Sequence, residues 1–294
     1  MRSKVFITGA AGGLGKAFAV ECARRGWDLY LTDIDSGKLQ VLAAALQRTY
    51  RVDVSYKECN LMDPESRQDL FEVITSGFYR FRGLINVAGL DVEGIFRERS
   101  REDIRGIVRL NVEGTIEVTH SLMDVMDPMQ PFWIITVSSL AAFFPIPVKA
   151  TYAASKRFLL DFSLSLRDEV KSQGATITVL CPAGLPTTPS AIKGIEAQGL
   201  IGQLTTQNVG RVARLTVDQA LKGKTIVVPG FLNQFMRWAG GLIPPVILSR
   251  LLGKRWKSAR AFRENLDIPA RDQFKTNISP EQKIPSVLSI PETI

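Results

Sequence analysis

The chain alternates short apolar runs with longer amphipathic stretches. Most of the short runs are rich in β-branched residues and are bounded by turn residues, as strands are. The stretches between them repeat apolar residues every three or four positions, which predicts helices. The predicted strands are Lys4–Thr8, Leu29–Thr32, Val52–Glu58, Leu84–Asn86, Trp133–Val137, Thr176–Cys181 and Thr225–Val228. The predicted helices are Leu14–Arg25, Lys38–Arg48, Pro64–Tyr79, Asp103–Val125, Tyr152–Lys171 and Gln207–Leu221.

Strands that alternate with helices need crossover connections, which give a parallel sheet covered on both faces. We therefore predict an α/β, doubly wound, Rossmann-like domain of about seven strands over residues 1–230. Residues 231–263 mix apolar residues with cations and predict a basic amphipathic helical extension. Residues 264–294 are polar and interrupted by proline, which predicts a loosely ordered tail.

The extension contains no apolar run of the roughly 20 residues that a membrane span requires. Its mixture of cations, tryptophans and aliphatic residues is typical of helices that lie on a membrane surface. Packing over the substrate lid or against a second subunit explains the same residues. Both interpretations remain open at this point.

Composition places the 294 residues among globular proteins, with 45% hydrophobic and 22% charged residues. The net charge of +8 is concentrated in the extension, which has seven basic and no acidic residues. Because the rest of the chain is nearly neutral, we do not predict nucleic-acid binding. The N-terminus has no secretory signal, which favours a cytoplasmic protein with a possible membrane association.

Metal and hydrolase chemistry find no support in the sequence. Cys22, Cys59 and Cys181 are far apart and form no C-x-x-C pair, so we expect buried reduced thiols and no metal site. His120, the one histidine, has no Asp or Cys constellation around it. A serine-hydrolase triad would therefore lack its base.

A glycine-rich turn, "TGAAGGLG", follows the first strand and opens the first helix. Gly9 can adopt the positive φ of a sharp turn, and Gly13 and Gly15 allow a pyrophosphate to approach the backbone. The N-terminus of the following helix attracts phosphate through its N–H groups and its dipole. The turn predicts dinucleotide binding.

Asp33 ends the second strand about twenty residues after the turn. A carboxylate there can accept hydrogen bonds from the adenosine ribose and repels a 2′-phosphate. The sequence therefore favours NAD over NADP. Asp35 is the competing candidate, although it fits the start of the next helix better.

Tyr152 and Lys156 in "YAASK" are four residues apart, so on a helix their side chains are neighbours. Four further motifs occur in order: "TGAAGGLG" at 8–15, "NVAG" at 86–89, "LNVEG" at 110–114 and "VSS" at 137–139. With these five motifs, the chain resembles the classical short-chain dehydrogenase/reductase family over residues 3–230.

The resemblance implies an oxidoreductase that interconverts an alcohol and a carbonyl with Tyr152 as general acid and base. Lys156 and the oxidised nicotinamide would lower the pKa of the phenol, and Lys156 would also bind the nicotinamide ribose. Ser139, rather than Ser138, would hold the substrate oxygen. Asn111 would position a water that relays protons from Lys156.

The resemblance also implies a set of cofactor contacts. Asn60 stands where the family commonly has an aspartate facing the adenine, and Ala183 replaces the usual glycine of the nicotinamide clamp, with Gly184 one residue late. The implied contacts are Gly9, Gly13, Leu14, Gly15, Asp33, Asn60, Leu61, Asn86, Ala88, Gly89, Tyr152, Lys156, Pro182, Gly184, Leu185 and Thr187.

Apolar residues before Tyr152 and in the expected lid, 184–206, favour a lipophilic alcohol or ketone as substrate. The resemblance implies a homodimer or homotetramer. A non-catalytic dinucleotide sensor or scaffold is the alternative function, and the intact tetrad of Asn111, Ser139, Tyr152 and Lys156 argues against it.

Overall fold

A computed structural model describes residues 3–187, 192, 195 and 204–253 of the protein. The strands are β1 Lys4–Thr8, β2 Asp28–Asp33, β3 Val54–Glu58, β4 Phe81–Asn86, β5 Phe132–Val137, β6 Ala175–Leu180 and β7 Ile226–Val227. All pair in parallel in the order β3-β2-β1-β4-β5-β6-β7. The predicted sheet of seven parallel strands is confirmed.

The helices of the described residues connect these strands or follow the last one. They are α1 Gly13–Arg24, α2 Ser36–Tyr50, α3 Pro64–Ser76, α4 Arg101–Val108, α5 Thr115–Met123, α6 Ala150–Val170, α7 Val209–Leu221 and α8 Phe231–Gly241. Short 3₁₀ turns cover Phe96–Glu98, Leu140–Phe143 and Lys171–Gln173. Residues 245–253 are also helical.

The sheet is covered on both faces, as the doubly wound prediction requires. Successive residues of β1 point in opposite directions, so Val5 and Ile7 enter one apolar core and Phe6 enters the other. The first core contains residues of α1, α2 and α7, whereas the second contains residues of α3, α5 and α6. Strands β1, β2, β4, β5 and β6 therefore contribute to both helical layers.

Side-chain caps fix where several helices begin. Asp35 accepts a 2.9 Å hydrogen bond from the N–H of Lys38 at the start of α2. Asp63 caps α3 and Ser100 caps α4 in the same way. Because Asp35 is used as a helix cap, Asp33 is left as the carboxylate at the end of β2.

The largest difference from the predicted elements lies in the long helix expected over Asp103–Val125. A π-helical turn, Arg109–Gly114, separates α4 from α5. Apolar spacing near 3.6 residues continues through a single π turn, so periodicity does not reveal it. β7 is also shorter than predicted.

The three cysteines are buried and unpaired, as expected. Among the described residues there is no group of metal-ligating side chains, and no helix is long and apolar enough to cross a membrane. α8 begins directly after Gly230, where the extension was predicted to start. Residues 254–263 of the extension, the predicted tail and most of the expected lid lie outside the described residues.

Candidate active site

The candidate site lies where the carboxyl ends of β1, β4 and β5 meet. β1 is central, and the chain continues from it to β2 on one side and later to β4 on the other. Such a switch in strand order opens a crevice at the carboxyl edge of a parallel sheet. The glycine-rich turn, the "NVAG" segment and Ser139 follow these three strands and therefore line this edge.

The glycine-rich turn has no room for side chains at three of its positions. Gly9 has φ 61°, and a Cβ there would lie 2.8 Å from the Cα of Ala88. A Cβ at Gly15 would lie 2.0 Å from the carbonyl oxygen of Gly9. At Gly13 it would lie 2.9 Å from Cβ of Thr187. Glycine is thus required both for the turn and for its contacts with neighbouring segments.

The start of α1 fits a phosphate group. Gly12 is the N-cap and offers no side-chain acceptor to the first N–H groups of the helix. Leu14 is buried in the core, so its side chain points away from this surface and its main chain remains to contact a ligand. A bare glycine turn at a helix N-terminus suits the pyrophosphate of a dinucleotide.

Asp33 is held against the glycine-rich turn. Its Oδ2 accepts a 2.9 Å hydrogen bond from the N–H of Ala11, and the side chain is partly buried. The N–H of Asp35 lies 3.3 Å from Oδ1. The carboxylate is therefore oriented beside the phosphate-binding turn, where it can accept hydrogen bonds from a ribose.

Tyr152 and Lys156 lie together on α6, as their spacing predicted. Nζ of Lys156 is 5.9 Å from the ring centre of Tyr152. The same nitrogen donates a 2.9 Å hydrogen bond to the carbonyl of Val137. Burial lowers the pKa of Lys156 to about 8, while Asp91 and Cys181 act in the opposite direction.

Ser139 is the serine that faces Tyr152. Its hydroxyl lies near enough to the phenol to lower the pKa of Tyr152, and it accepts a 3.1 Å hydrogen bond from the N–H of Ala141. Ser138 instead donates a 2.7 Å hydrogen bond to the carbonyl of Lys156 and is buried. This arrangement supports the choice of Ser139 over Ser138.

The pKa of Tyr152 is raised above its ordinary value, in contrast to the expected lowering. The side chain as a whole is only half-buried, but the phenol group is withdrawn from water, and this burial is the main cause. Asp91 raises the pKa further, and the hydroxyl of Ser139 opposes both effects. The groups of the protein by themselves therefore keep the phenol protonated.

Asn111 lies in the π turn and is fully buried. Its Oδ1 accepts a 2.7 Å hydrogen bond from the N–H of Leu90, and its Nδ2 donates to the carbonyl of Leu90 and to Oγ of Ser155. A Cβ at Gly89 would lie 3.2 Å from this Oδ1 and 3.1 Å from Nζ of Lys156. Asn111 thus joins the "NVAG" segment to α6 beside the lysine. π turns are frequent at functional sites.

Two charged residues near Tyr152 were not predicted. Nζ of Lys149 lies 5.3 Å from the ring centre of Tyr152 and 2.6 Å from the carboxylate of Asp91. The preceding Val148 has φ 64°, and its carbonyl accepts a 2.8 Å hydrogen bond from Gly94. The spacing of three residues from Tyr152 could have indicated Lys149, whereas no sequence signal marks Asp91.

Three residues expected near the adenosine, Asn60, Leu61 and Asn86, use polar groups in contacts within the protein. Oδ1 of Asn60 accepts a hydrogen bond from the N–H of Met62, so this oxygen is already used in a local turn. The carbonyl of Leu61 accepts a 2.7 Å bond from the buried Arg67. Nδ2 of Asn86 donates to Thr119, which directs this side chain to α5.

Hydrogen bonds and packing place the remaining predicted segments along the same edge of the sheet. The N–H of Ala88 donates to Oγ1 of Thr8. Pro182 accepts a hydrogen bond from Leu140, and Gly184 accepts one from Gln207. The expected nicotinamide clamp therefore lies across the same edge of the sheet, with its Leu185 packed against the core and its Thr187 over Gly13.

Comparison with known proteins agrees with this geometry. The family model for short chain dehydrogenases matches residues 3–197. Sulfoacetaldehyde reductase of Chromohalobacter salexigens is 34% identical over 184 residues, which are 62% of this chain and 72% of that protein. Very-long-chain 3-oxoacyl-CoA reductase of Neurospora crassa is 31% identical over 197 residues, 64% of this chain and 57% of that protein.

Solved structures share the fold. A short-chain dehydrogenase from Sphingobium yanoikuyae in complex with NADPH superposes with a TM-score of 0.67. It is 23% identical, and the superposition covers 94% of this chain and 98% of that chain. The strand order, the glycine-rich turn and the family match together lead to one conclusion. The chain belongs to the short-chain dehydrogenase family, whose members are oxidoreductases that act on CH–OH groups with NAD or NADP.

Proposed function

We propose that the protein interconverts a lipophilic secondary alcohol and its carbonyl compound with NAD(H), and that Tyr152 exchanges the proton. The observation that carries this proposal is the meeting of Tyr152, Ser139, Lys156 and Asn111 at one edge of the sheet, beside the glycine-rich turn. A sensor or scaffold has no need of a phenol placed beside a serine hydroxyl and a buried ammonium.

Each residue of the tetrad has a separate task in this proposal. NAD(H), when bound, accepts or supplies the hydride. Ser139 and Tyr152 hold the substrate oxygen by hydrogen bonds, and Tyr152 gives or takes its proton. Lys156 stabilises the phenolate that remains after proton donation. Asn111 fixes the π turn beside Lys156, where a water can relay protons to solvent.

The raised pKa of Tyr152 bears on proton transfer in both directions of the reaction. A phenol that stays protonated at neutral pH is ready to donate its proton to a carbonyl oxygen as hydride arrives. Alcohol oxidation starts from the phenolate and therefore depends more strongly on the positive charge of Lys156.

The cofactor preference rests on Asp33. Its carboxylate is oriented beside the turn by the N–H of Ala11, and a 2′-phosphate would meet its negative charge there. The Sphingobium relative was solved with NADPH, so NAD and NADP must be compared directly. We expect a higher kcat/KM with NAD, and we expect Asp33→Ser to reduce that preference. Equal efficiency with both cofactors in the unaltered protein would contradict the proposal.

The proposal of a lipophilic substrate rests on apolar residues that precede Tyr152 in the sequence. Phe143 and Phe144 are half-buried and pack on an apolar cluster that includes Leu140 and Leu160. The Neurospora relative is named for very-long-chain acyl substrates, whereas the Chromohalobacter relative is named for a small sulfonated aldehyde. A panel of carbonyl compounds of increasing chain length decides between them, because efficiency should rise with length.

Two assignments concern the assembly and its place in the cell. We propose a cytoplasmic homodimer or homotetramer that uses the helices carrying Asn111 and Tyr152. Val108 on α4 and Phe158 on α6 are exposed apolar residues that a second subunit would cover. Light scattering coupled to size-exclusion chromatography measures the subunit number. We also propose that the C-terminal extension serves this activity by contact with a membrane surface.

The decisive test of the function is an absorbance assay of NADH oxidation with the ketone panel. Turnover that disappears in Tyr152→Phe supports the proposed chemistry. Dinucleotide binding without turnover for any member of the panel would favour the sensor or scaffold function.

A further inference from the structure

The helix α8 presents its apolar residues to solvent. Phe231, Phe235, Trp238 and Leu242 follow one another at spacings of four, three and four residues, so they form one stripe along the helix. Their exposed fractions are 86%, 53%, 63% and 68%. Soluble helices normally turn such a stripe toward the core.

The opposite face of α8 fixes this orientation. Asn233 is fully buried, and its Nδ2 donates hydrogen bonds to the carbonyls of Thr205 and Pro229. Gly240 is buried against Phe144, because a Cβ at this glycine would lie 2.2 Å from the ring. Rotating α8 to bury the stripe would break these contacts, so the stripe remains on the outside.

The helical segment 245–253 extends the apolar surface. Val246, Ile247 and Leu251 are exposed, whereas Leu248 is buried. We call the exposed apolar residues of both helices the docking surface: Phe231, Leu232, Phe235, Trp238, Leu242, Val246, Ile247 and Leu251. Eight exposed apolar residues on two consecutive helical segments indicate a site of interaction with another body.

The charged residues of the segment that carries the docking surface are all cations. Arg237 and Arg250 lie on the two helices, and the sequence continues with Lys254, Arg255, Lys257, Arg260 and Arg263. No acidic residue occurs from 231 to 263. Anionic lipid headgroups complement such a segment, while the membrane interface accepts aromatic and aliphatic side chains.

A second copy of the chain is a poorer occupant. A twofold interface brings the same patch of both copies together. Here it would place two sets of cations opposite each other with no carboxylate from this segment between them. Interface cores are instead depleted of charge. The combination of an apolar stripe and uncompensated cations therefore favours lipid.

The helices that carry the docking surface pack, through their other face, against the loop between Ser139 and Tyr152. The guanidinium of Arg237 lies 4.7 Å from the ring centre of Phe143. Phe144 contacts α8 at Gly240, and a Cβ at Gly253 would lie 3.3 Å from Pro147. The residues between Ser139 and Tyr152 thus lie between the candidate active site and the two helices that carry the docking surface.

From these observations we infer that α8 and segment 245–253 dock on an anionic membrane surface and bring the entrance of the active site to substrates dissolved in the lipid. Docking depends on the exposed apolar side chains and on the cations of this segment, and it does not require the proposed function. The delivery of substrate rests in addition on the proposed function, because it requires a lipophilic alcohol or carbonyl compound.

Vesicle flotation of the full chain tests docking. The vesicles contain phosphatidylcholine with or without phosphatidylglycerol. We expect binding to the anionic vesicles to be at least about tenfold stronger, and to fall about tenfold or more in Phe235→Ser/Trp238→Ser. The matched control is Phe78→Asn/Met129→Ser. These two exposed apolar residues precede β4 and β5 at the opposite edge of the sheet, so the control should bind as the unaltered protein does.

Three results would overturn docking. One is equal flotation of the unaltered protein and of Phe235→Ser/Trp238→Ser, which we call the stripe variant. Another is a smaller oligomer in the stripe variant with no flotation of the unaltered protein, which would assign the surface to a second copy. The third is flotation that appears only after removal of residues 264–294. This result would show that the tail occupies the docking surface in the full chain.

Kinetics test the delivery of substrate separately. The measured quantity is the ratio of turnover with a vesicle-partitioned ketone to turnover with a water-soluble ketone. It should fall severalfold in the stripe variant and remain constant in the control. Flotation with an unchanged ratio would retain docking and overturn delivery. Flotation without turnover of either ketone would retain docking and overturn both the delivery and the proposed function.

Discussion

Nζ of Lys156 donates a 2.9 Å hydrogen bond to the main-chain carbonyl of Val137, the last residue of β5. A side chain from α6 is thereby fixed to the edge of the sheet. Because the lysine is buried, its positive charge stays at a defined position beside Tyr152. Each catalytic prediction below depends on this fixed geometry.

The rate of carbonyl reduction should depend on the charge of Lys156. Burial lowers the pKa of this lysine to about 8, so the ammonium loses its proton as the pH rises through that value. We expect kcat to be constant below about pH 8 and to decline above it. A pH profile of NADH oxidation measures this change.

The variants Lys156→Arg and Lys171→Arg test whether the decline of kcat with pH is caused by Lys156. An arginine keeps its charge throughout this range, so any activity that remains in Lys156→Arg should decline at a higher pH. Lys171 is exposed at the end of α6, and its replacement should leave the profile unchanged. A profile of the unaltered protein that stays flat well above pH 8 would refute the role of Lys156.

Removing the phenol oxygen should abolish proton transfer. We expect Tyr152→Phe to reduce kcat by about 10²–10⁴-fold, the usual contribution of a positioned acid or base. Binding of NADH should persist, because the glycine-rich turn is unaltered. Stopped-flow kinetics and NADH fluorescence measure the two effects. Tyr56→Phe, on the exposed edge strand β3, is the control and should retain full turnover.

Asn111→Asp tests the network in the π turn. The substitution places a carboxylate where Nδ2 now donates to Leu90 and Ser155. Loss of these donors in a buried position should lower the free energy of unfolding by about 1–3 kcal/mol. Urea denaturation measures the change.

Asn208→Asp is the matched control, because an exposed aspartate caps a helix as well as asparagine does. If both variants lost the same free energy of unfolding, the buried hydrogen bonds of Asn111 would contribute no more to stability than the exposed cap does.

Gly15→Ala should disturb the dinucleotide site through the backbone. The new Cβ would lie 2.0 Å from the carbonyl oxygen of Gly9, which a main-chain atom cannot avoid without moving the turn. We expect a stability loss of about 1–3 kcal/mol. NADH affinity should fall about tenfold or more, which corresponds to about 1.4 kcal/mol or more. Isothermal titration calorimetry measures the affinity.

The control Gly37→Ala should be neutral or slightly stabilising. Its Cβ would meet no atom closer than 3.6 Å in the first turn of α2, and alanine favours helix. If Gly15→Ala bound NADH as well as this control does, the close packing of Gly15 on the carbonyl of Gly9 would not determine NADH affinity.

The strands and the pairing of Tyr152 with Lys156 could be predicted because their signals are local. β1 was predicted at its observed ends, since an apolar run is followed directly by Gly9. Tyr152 and Lys156 were placed side by side by their helical spacing. In these cases neighbouring residues in the sequence carry the structural information.

The remaining features depend on residues that are distant in the sequence. The π turn at Asn111 is held by Leu90 and Ser155, and neither contact leaves a trace in the periodicity of the helix. The raised pKa of Tyr152 reflects burial and Asp91, which belongs to a different loop. The outward orientation of α8 is set by Thr205 and Phe144 rather than by its own apolar stripe.

The positive φ of Val148 means that a branched residue adopts a conformation which its own side chain opposes. The surrounding contacts, including the hydrogen bond from Gly94, must impose it. Since Lys149 follows directly, the same contacts determine where this second ammonium stands over the phenol. Loosening the segment around Gly94 would therefore alter the electrostatic potential at the reacting oxygen without any change in the tetrad itself.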